Sequence, residues 1–451
     1  MIFGTDGIRD IGGSGLLSCD SVDRVGTAIL RYLQKKGVSQ PCVLLGRDTR
    51  ESGPEIESLL TRSLQRGGVQ TLHAGVVPTP AISVLLAQGY ADLGLMISAS
   101  HNPPEFNGIK ILDHRGEKLS KEAEKDISVD HAVASPLEGE LPEIKEDPQW
   151  GQKYINFLLS AFPEGEFLAG LSVVLDTARG AACHWAPEAF RSAGAKVHLL
   201  HDDPDGSQIN VGCGSLHPEI LAEEVLSRGA DLGVAFDGDA DRALFCDHTG
   251  ASLDGDDVIA LWALNLKARD SLDPPVVALT VMSNMGVEKY LNSNAIQVIR
   301  TPVGDREVAN ALRESGGVLG GETSGHIIHR TEAATGDGIR TGLSVCQCLV
   351  ESGVRLSDHN GNFQRYPLEQ RTVRIENRPE FDSLENLRGA ITEAEDQLAE
   401  DGRLVVRFSG TEPLLRILVE AVSEELAHHW VERLLEAARE EESLGTVTVV
   451  A

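Results

Sequence analysis

Ala91-Asp92-Leu93-Gly94-Leu95-Met96-Ile97-Ser98-Ala99-Ser100-His101-Asn102-Pro103 reads as one buried strand and the loop beyond it. The apolar run Leu93–Ile97 has the length of a strand, and the polar cluster after it marks a turn. The same opening, Ala230-Asp231-Leu232-Gly233, precedes a second apolar run and a second polar loop, Asp237-Gly238-Asp239-Ala240-Asp241-Arg242. A weaker third copy is Gly317-Val318-Leu319-Gly320-Gly321-Glu322-Thr323-Ser324-Gly325-His326. Each block also has an earlier apolar strand, at 43–46, 173–176 and 276–281. Strands alternating with helical patterns predict an α/β class, and the threefold recurrence predicts three similar mixed α/β domains that each offer one loop to a shared site. Such loops lie at the carboxyl ends of strands, where open α/β sheets bind ligands.

The last block differs. Strands near 372–375, 404–407 and 414–422, with helices near 384–398 and 424–440, predict a smaller C-terminal α+β domain. Proline and acidic residues at 128–149, including Pro136, Pro142 and Pro148, mark a linker. Polar breaks near 251–256 and 357–367 mark the later boundaries. The expected domains are 1–149 (with the linker), 150–250, 251–362 and 363–451, set around a central cleft.

The 451 residues carry 69 acidic and 40 basic side chains, a net charge of −29. That balance excludes nucleic acid or an anionic membrane as the main partner. An anionic ligand must therefore be held by locally placed Arg, Lys and backbone N–H groups. The seven cysteines are scattered and form no CxxC pair, and Cys346 and Cys348 read as reduced core thiols. No basic-then-apolar leader opens the chain and no apolar run is long enough to span a membrane, so a cytoplasmic location is expected.

In an extended segment, alternate residues point to one side, so Asp237, Asp239 and Asp241 converge. Two carboxylates about 4 Å apart repel by roughly 4 kcal/mol at an effective dielectric near 20, so three call for a counter-ion. All-oxygen ligands select Mg²⁺ or a similar hard cation. A calcium EF-hand loop also begins D-x-D-x-D, but Arg242 stands where its glycine belongs and His248 where its final glutamate belongs. A solvated acidic turn is the plain alternative.

Ser100, flanked by His101 and Asn102, offers a hydroxyl that can carry a phosphoryl group, or it caps the next helix. Lys110 in Asn107-Gly108-Ile109-Lys110 is either a general acid/base or a surface lysine. No GxxxxGK[ST] loop is present, which argues against a nucleoside triphosphate as the donor and for a phosphoserine relay within one substrate. Glu322 and Ser324 lie two apart on one side, suited to paired sugar hydroxyls or to a helix cap. Arg407-Phe408-Ser409-Gly410-Thr411-Glu412-Pro413, with Arg416 beyond, reads as an anion nest or a plain hairpin turn.

Together these loops resemble, in order and across almost the whole chain, the α-D-phosphohexomutase superfamily. Gly4-Thr5-Asp6-Gly7-Ile8-Arg9 is similar to its N-terminal active-site segment, and Ser98 to Pro103 to its phosphoserine loop. Asp237 to Arg242 is similar to its magnesium loop, Glu322 to His326 to its sugar loop, and Arg407 to Pro413 to its phosphate loop. The first, fourth and fifth of these strings resemble the phosphoglucosamine mutase branch; phosphomannomutase/phosphoglucomutase relatives are the alternative, and a non-catalytic sugar-phosphate binder the remoter one. Asp10, Thr323 and Arg179 stand where the family commonly has Gly, Gln and Asn.

The resemblance implies an isomerase that interconverts glucosamine 6-phosphate and glucosamine 1-phosphate through a phosphoserine and a 1,6-bisphosphate, feeding UDP-N-acetylglucosamine synthesis. It implies one Mg²⁺ on Asp237, Asp239, Asp241 and Ser100. It implies Lys110, Arg9, His101 and His326 around the reacting groups, Glu322 and Ser324 on the sugar, and Arg407, Ser409, Gly410, Thr411 and Arg416 on the idle phosphate. A small-molecule sugar phosphate is the expected partner of a monomer or homodimer.

Overall fold

The computed structural model describes every residue except Thr5, Glu138, Glu332, Asn360, 410–412 and Ala451. It separates into two bodies, Met1–Thr280 with Ile296–Asn360 and Val281–Ala295 with Gly361–Ala451.

The larger body carries three sheets built on one plan. The first has parallel strands Cys42–Arg47, Gln70–Val76 and Leu93–Ile97 and an antiparallel fourth, Phe106–Asp113. The second repeats this with Ser172–Asp176, Lys196–Leu200, Leu232–Phe236 and Ala243–Asp247. The third does so with Val276–Thr280, Gln297–Thr301, Leu319–Gly321 and Ile327–His329. In each sheet the spatial order is fourth, third, first, second. The first two sheets add an antiparallel edge strand, Ile8–Ile11 and Ser252–Leu253. The three similar α/β domains read from the repeat are thus present, and in all of them the marked loop joins the third strand to the fourth.

The recurring Ala-Asp-Leu-Gly has a physical cause. Asp92 Oδ2 accepts from the Cys42 N–H (2.9 Å) and Asp231 Oδ2 from the Ser172 N–H (2.8 Å), so each aspartate caps the start of the neighbouring first strand. The glycine lets a helix approach. A Cβ on Gly94 would sit 2.5 Å from Leu86, and one on Gly233 2.7 Å from both Leu221 and Val225. Any side chain there would push the helix off the sheet.

Helices cover the first sheet on both faces. Val43, Leu45, Leu95, Ile97, Ile109 and Ile111 pack against Cys19–Lys35, Gly53–Arg66 and Lys121–Val133. Thr79–Ala87 contacts the sheet as well, and every residue of Leu93–Ile97 is buried. Full burial on both faces is why this strand reads as a continuous apolar run, with each leucine or isoleucine contributing about 2 kcal/mol. The helix Lys121–Val133 occupies the start of the stretch expected to be linker.

The smaller body is an antiparallel sheet in the order Gly402–Phe408, Leu414–Ala421, Leu368–Arg374, Thr448–Val450. Helices Glu385–Leu398 and Glu424–Glu440 share its core through Leu387, Ala394, Trp430 and Leu434. The segment Val281–Ala295 belongs to this body. Asn284 caps its helix Met285–Ser293 and donates to the Tyr366 carbonyl (3.0 Å), and buried Glu420 accepts from the Met285 N–H (3.0 Å). No helix among the described residues is long and apolar enough to cross a membrane.

Candidate active site

The three strand-to-strand loops of the larger body meet. Ser100 Oγ donates to Asp237 Oδ2 at 2.6 Å, and both residues are buried. Ser100 and Ala240 take left-handed backbone conformations, each with φ of 54°. For residues with a Cβ this costs about 1–2 kcal/mol, which the surrounding packing must offset.

One carboxylate oxygen from each of Asp237, Asp239 and Asp241 lies within 4.8 Å of the others. Thr79 Oγ1 donates to Asp239 Oδ2 (2.6 Å), and the Arg242 N–H to Asp237 Oδ1 (3.2 Å). Asp239 Oδ1 and Asp241 Oδ1 are buried and accept no hydrogen bond. Burial, then the charges of Asp241 and Asp239, hold the Asp237 carboxyl well above the usual range. An all-oxygen set with two buried unsatisfied acceptors and surplus negative charge fits a hard divalent cation.

Lys110 is wholly inside. Its Nζ lies 2.7 Å from Asp239 Oδ2, 3.0 Å from Asp241 Oδ2 and 3.2 Å from Asp6 Oδ2. Burial opposes its charge, but these carboxylates outweigh burial and raise its pKa well above the ordinary lysine value. Asp241 is the reverse case: burial favours its neutral form, yet Lys110, His326 and Arg242 hold it well below the usual carboxylate range.

The ion pairs close into a ring. Asp6 bridges Lys110, Lys118 and Arg9; Lys118 reaches Asp305 (2.6 Å); Asp305 faces His326 Nε2 (3.8 Å); His326 Nδ1 faces Asp241 Oδ1 (3.4 Å). All three domains of the larger body contribute. For His326, burial disfavours charge, but Asp241, Asp305 and Glu322 outweigh it and raise the pKa. The Gly336 N–H donates to Nε2 (3.0 Å), so the neutral ring keeps its proton on Nδ1, toward Asp241. His101 has its Nδ1 3.4 Å from Ser100 Oγ. Burial, then Arg242 and Arg9, pull its pKa down to about 4, which leaves it neutral at pH 7.

Arg9 also reaches Asn102 Oδ1 (3.4 Å) in the serine loop. Glu322 Oε1 accepts from the Gly304 N–H (3.1 Å), next to Asp305, and Ser324 Oγ is buried without a hydrogen bond. Thr323 Oγ1 donates to Asp256 (3.4 Å), and Asp10 accepts from the Ile11 and Leu16 N–H groups, both at 2.8 Å. Two of the departures from the family pattern thus bond within their own domains. In the smaller body Arg407 and Arg416 stand opposite each other in register on paired strands, and Ser409 is buried just beyond the end of the first. Burial, then Arg416, lower the Arg407 pKa, so two like charges share one face and an anion there would relieve them. Gly410 and Thr411 lie outside the described residues.

Lys118, Asp305 and Arg50 escaped the sequence reading, and Asp6 entered it only as part of the segment Gly4 to Arg9, with no role of its own. For Arg50 a signal existed: Asp48-Thr49 after the first strand of one domain matches Asp176-Thr177 in the next. Asp48 Oδ1 accepts from the Arg50 N–H and Asp176 Oδ1 from the Ala178 N–H, both at 3.0 Å. Lys118 and Asp305 pair with each other across domains, which no local spacing encodes.

Family models described as phosphoglucomutase/phosphomannomutase α/β/α domain I, domain II, domain III and C-terminal domain match residues 1–132, 152–250, 254–366 and 372–437. The chain is 41% identical to a phosphoglucosamine mutase of Cereibacter sphaeroides over 441 residues, 97% of this chain and 99% of that one. It is 40% identical to that of Gloeothece citriformis over 447 residues, 96% and 91% of the two chains. A crystal structure of a phosphoglucomutase/phosphomannomutase family protein from Burkholderia thailandensis superposes with a TM-score of 0.83 at 24% identity, covering 99% of each chain, a likeness of fold.

Proposed function

The chain belongs to the phosphoglucomutase/phosphomannomutase family, and from that premise we propose that it interconverts glucosamine 6-phosphate and glucosamine 1-phosphate. The observation that carries the chemistry is Ser100 Oγ, 2.6 Å from Asp237 at the head of three convergent carboxylates. Relatives near 40% identity over nearly the full chain carry the choice of amino sugar.

Ser100 is the phosphoryl carrier. Its phosphorylated form passes the group to the free hydroxyl of the substrate, giving a 1,6-bisphosphate that turns over and returns its other phosphoryl group to Ser100. In each half, one O–P bond forms as another breaks, and one proton moves from the hydroxyl that gains phosphate to the oxygen that loses it. Lys110 carries that proton. It rests as an ammonium, so it gives from Nζ to the leaving oxygen and recovers a proton from the attacking hydroxyl. Neutral His101 beside Ser100 Oγ and the Asp241-facing His326 keep the remaining protons in place, and Arg9 holds the serine loop through Asn102.

Asp237, Asp239, Asp241 and a phosphate oxygen on Ser100 would hold one Mg²⁺, which when bound offsets charge on the transferring phosphoryl group. Glu322 and the unsatisfied Ser324 hydroxyl take sugar hydroxyls; Arg407, Arg416, Ser409, Gly410 and Thr411 take the idle phosphate. The domain boundaries stand at about 149, 250 and 362, and the enzyme works in the cytoplasm as a monomer or homodimer on a small-molecule substrate.

A panel of sugar phosphates assayed with Mg²⁺ and a trace of bisphosphate tests the substrate. Glucosamine phosphate should give the highest kcat/KM, and faster turnover of mannose 1-phosphate or glucose 1-phosphate would overturn the choice.

A further inference from the structure

We infer that Arg50 and Asn210 are positioning residues that clamp the backbone of Ser100 from two domains and fix where its hydroxyl points. Arg50 is fully buried, and all five of its N–H donors are used. Nε donates to Asp48 Oδ2 (2.9 Å). One terminal nitrogen donates to the carbonyls of Ser100 (2.9 Å) and Asn102 (2.7 Å), and the other to those of Pro103 and Phe106 (2.8 Å to Phe106). The serine loop is wrapped around one guanidinium. A lysine has neither the fork nor the number of donors to replace it.

Asn210 comes from the second domain and repeats part of this grip. Its Nδ2 donates to the same two carbonyls, Ser100 (2.9 Å) and Asn102 (3.1 Å). The metal-loop backbone closes the third side, since a Cβ on Gly238 would stand 2.7 Å from the Ser100 carbonyl oxygen. The Ser100 N–H is also taken: it donates to Ser98 Oγ (2.8 Å), which in turn donates to Asp48 Oδ2 (2.6 Å). Arg50 and Ser98 thus converge on Asp48, and both backbone groups of Ser100 are tied to buried side chains. This holds the residue at its left-handed φ of 54° with Oγ facing Asp237. A carrier that gives and retakes a group must return to one place twice, so the clamp acts on the relay proposed above and rests on that reading.

The test uses purified full-length Arg50→Lys, Asn210→Ala and Asn210→Asp, each checked for folding. Turnover of glucosamine 1-phosphate, release of sugar bisphosphate into solution, and amide exchange over residues 98–106 are measured for each. Asn210→Ala should lose about tenfold in kcat and Arg50→Lys about a hundredfold, with KM within twofold, because a carrier displaced by an ångström reacts poorly but leaves substrate binding alone. Asn210→Asp should be worse than Asn210→Ala, since it turns an oxygen toward two carbonyls. Bisphosphate release and exchange over 98–106 should both rise. A folded Asn210→Ala with wild-type kcat, or one impaired through KM alone, overturns the clamp even if Arg50→Lys does not fold. If wild-type protein turns over no sugar phosphate, the proposed function fails instead, and unchanged exchange over 98–106 in the variants would separately overturn the clamp.

Discussion

Asp337 shows how one buried carboxyl sets a pH dependence. Tyr154 Oη donates to both of its oxygens (2.9 and 3.0 Å), and it caps the helix Gly338–Ser352. Burial pushes its pKa up to about 6. The folded chain therefore holds this proton more tightly than the unfolded one. The resulting stabilisation is complete below about pH 4 and is lost as pH rises through about 6, a swing of about 3 kcal/mol. Asp337→Asn should gain on wild type in melting temperature between pH 4 and 7; parallel melting curves would contradict this. Arg179 gives a second residue-scale test. It holds a φ of 54° where asparagine is better tolerated, and its side chain reaches the exposed Asp203 (3.1 Å) and the Cys213 thiol. Arg179→Asn should stabilise by about 1 kcal/mol, and a lower melting temperature would argue against backbone strain at this position.

At the scale of elements, the loops carry the chemistry and the strands fix where they meet. In the Asp237 loop two buried acceptors lack partners, so millimolar Mg²⁺ should raise the unfolding midpoint, by about 3 kcal/mol of stabilisation at 100-fold excess over Kd. Asp239→Asn should abolish most of that rise, and a rise left intact would place the cation elsewhere. In the hairpin Gly402–Phe408 and Leu414–Ala421, Arg407→Ala removes one of two opposed guanidiniums. It should raise KM by about tenfold or more, the loss of one charge-assisted contact of about 1.5–3 kcal/mol, without weakening the sheet. An unchanged KM with a destabilised sheet would make Arg407 structural. The repeat was legible because Asp92 and Asp231 do the same work at the same place, as do the glycines that seat the helices. Arg50 was harder to see, because its partners are carbonyls, and a carbonyl leaves no mark on side-chain identity. The ring through Asp6, Lys118 and Asp305 was harder to see for a related reason: Asp6 meets Lys110 and Lys118 within one domain, but Lys118 meets Asp305, and His326 meets Asp241, only after the sheets have packed.

At the scale of the whole molecule, a net charge of −29 surrounds a site for an anion. Long-range repulsion acts beyond the local Arg and Lys groups and is screened over about 10 Å at 0.1 M salt. Raising ionic strength from low to physiological should therefore raise kcat/KM modestly, where a steered anionic substrate would show a fall. The threefold plan explains how one small site draws on distant parts of the sequence. Each domain brings a loop from between its third and fourth strands, and Ser100, Asp237 and His326 arrive by the same route. The relay proposed for Ser100 is what those loops would serve. Dephosphorylated wild type and Ser100→Ala, each incubated with Mg²⁺ and glucosamine 1,6-bisphosphate whose phosphoryl groups carry heavy oxygen, then chased with unlabelled glucosamine 6-phosphate and followed by intact mass, test it most directly. Wild type should take one labelled phosphoryl group on Ser100 and, because each turnover returns the sugar's own phosphate to the serine, exchange it for an unlabelled one in the chase, while Ser100→Ala takes none and does not turn over. Turnover by Ser100→Ala at the wild-type rate, or a labelled phosphoryl group that stays on Ser100 through repeated turnover, would contradict the relay.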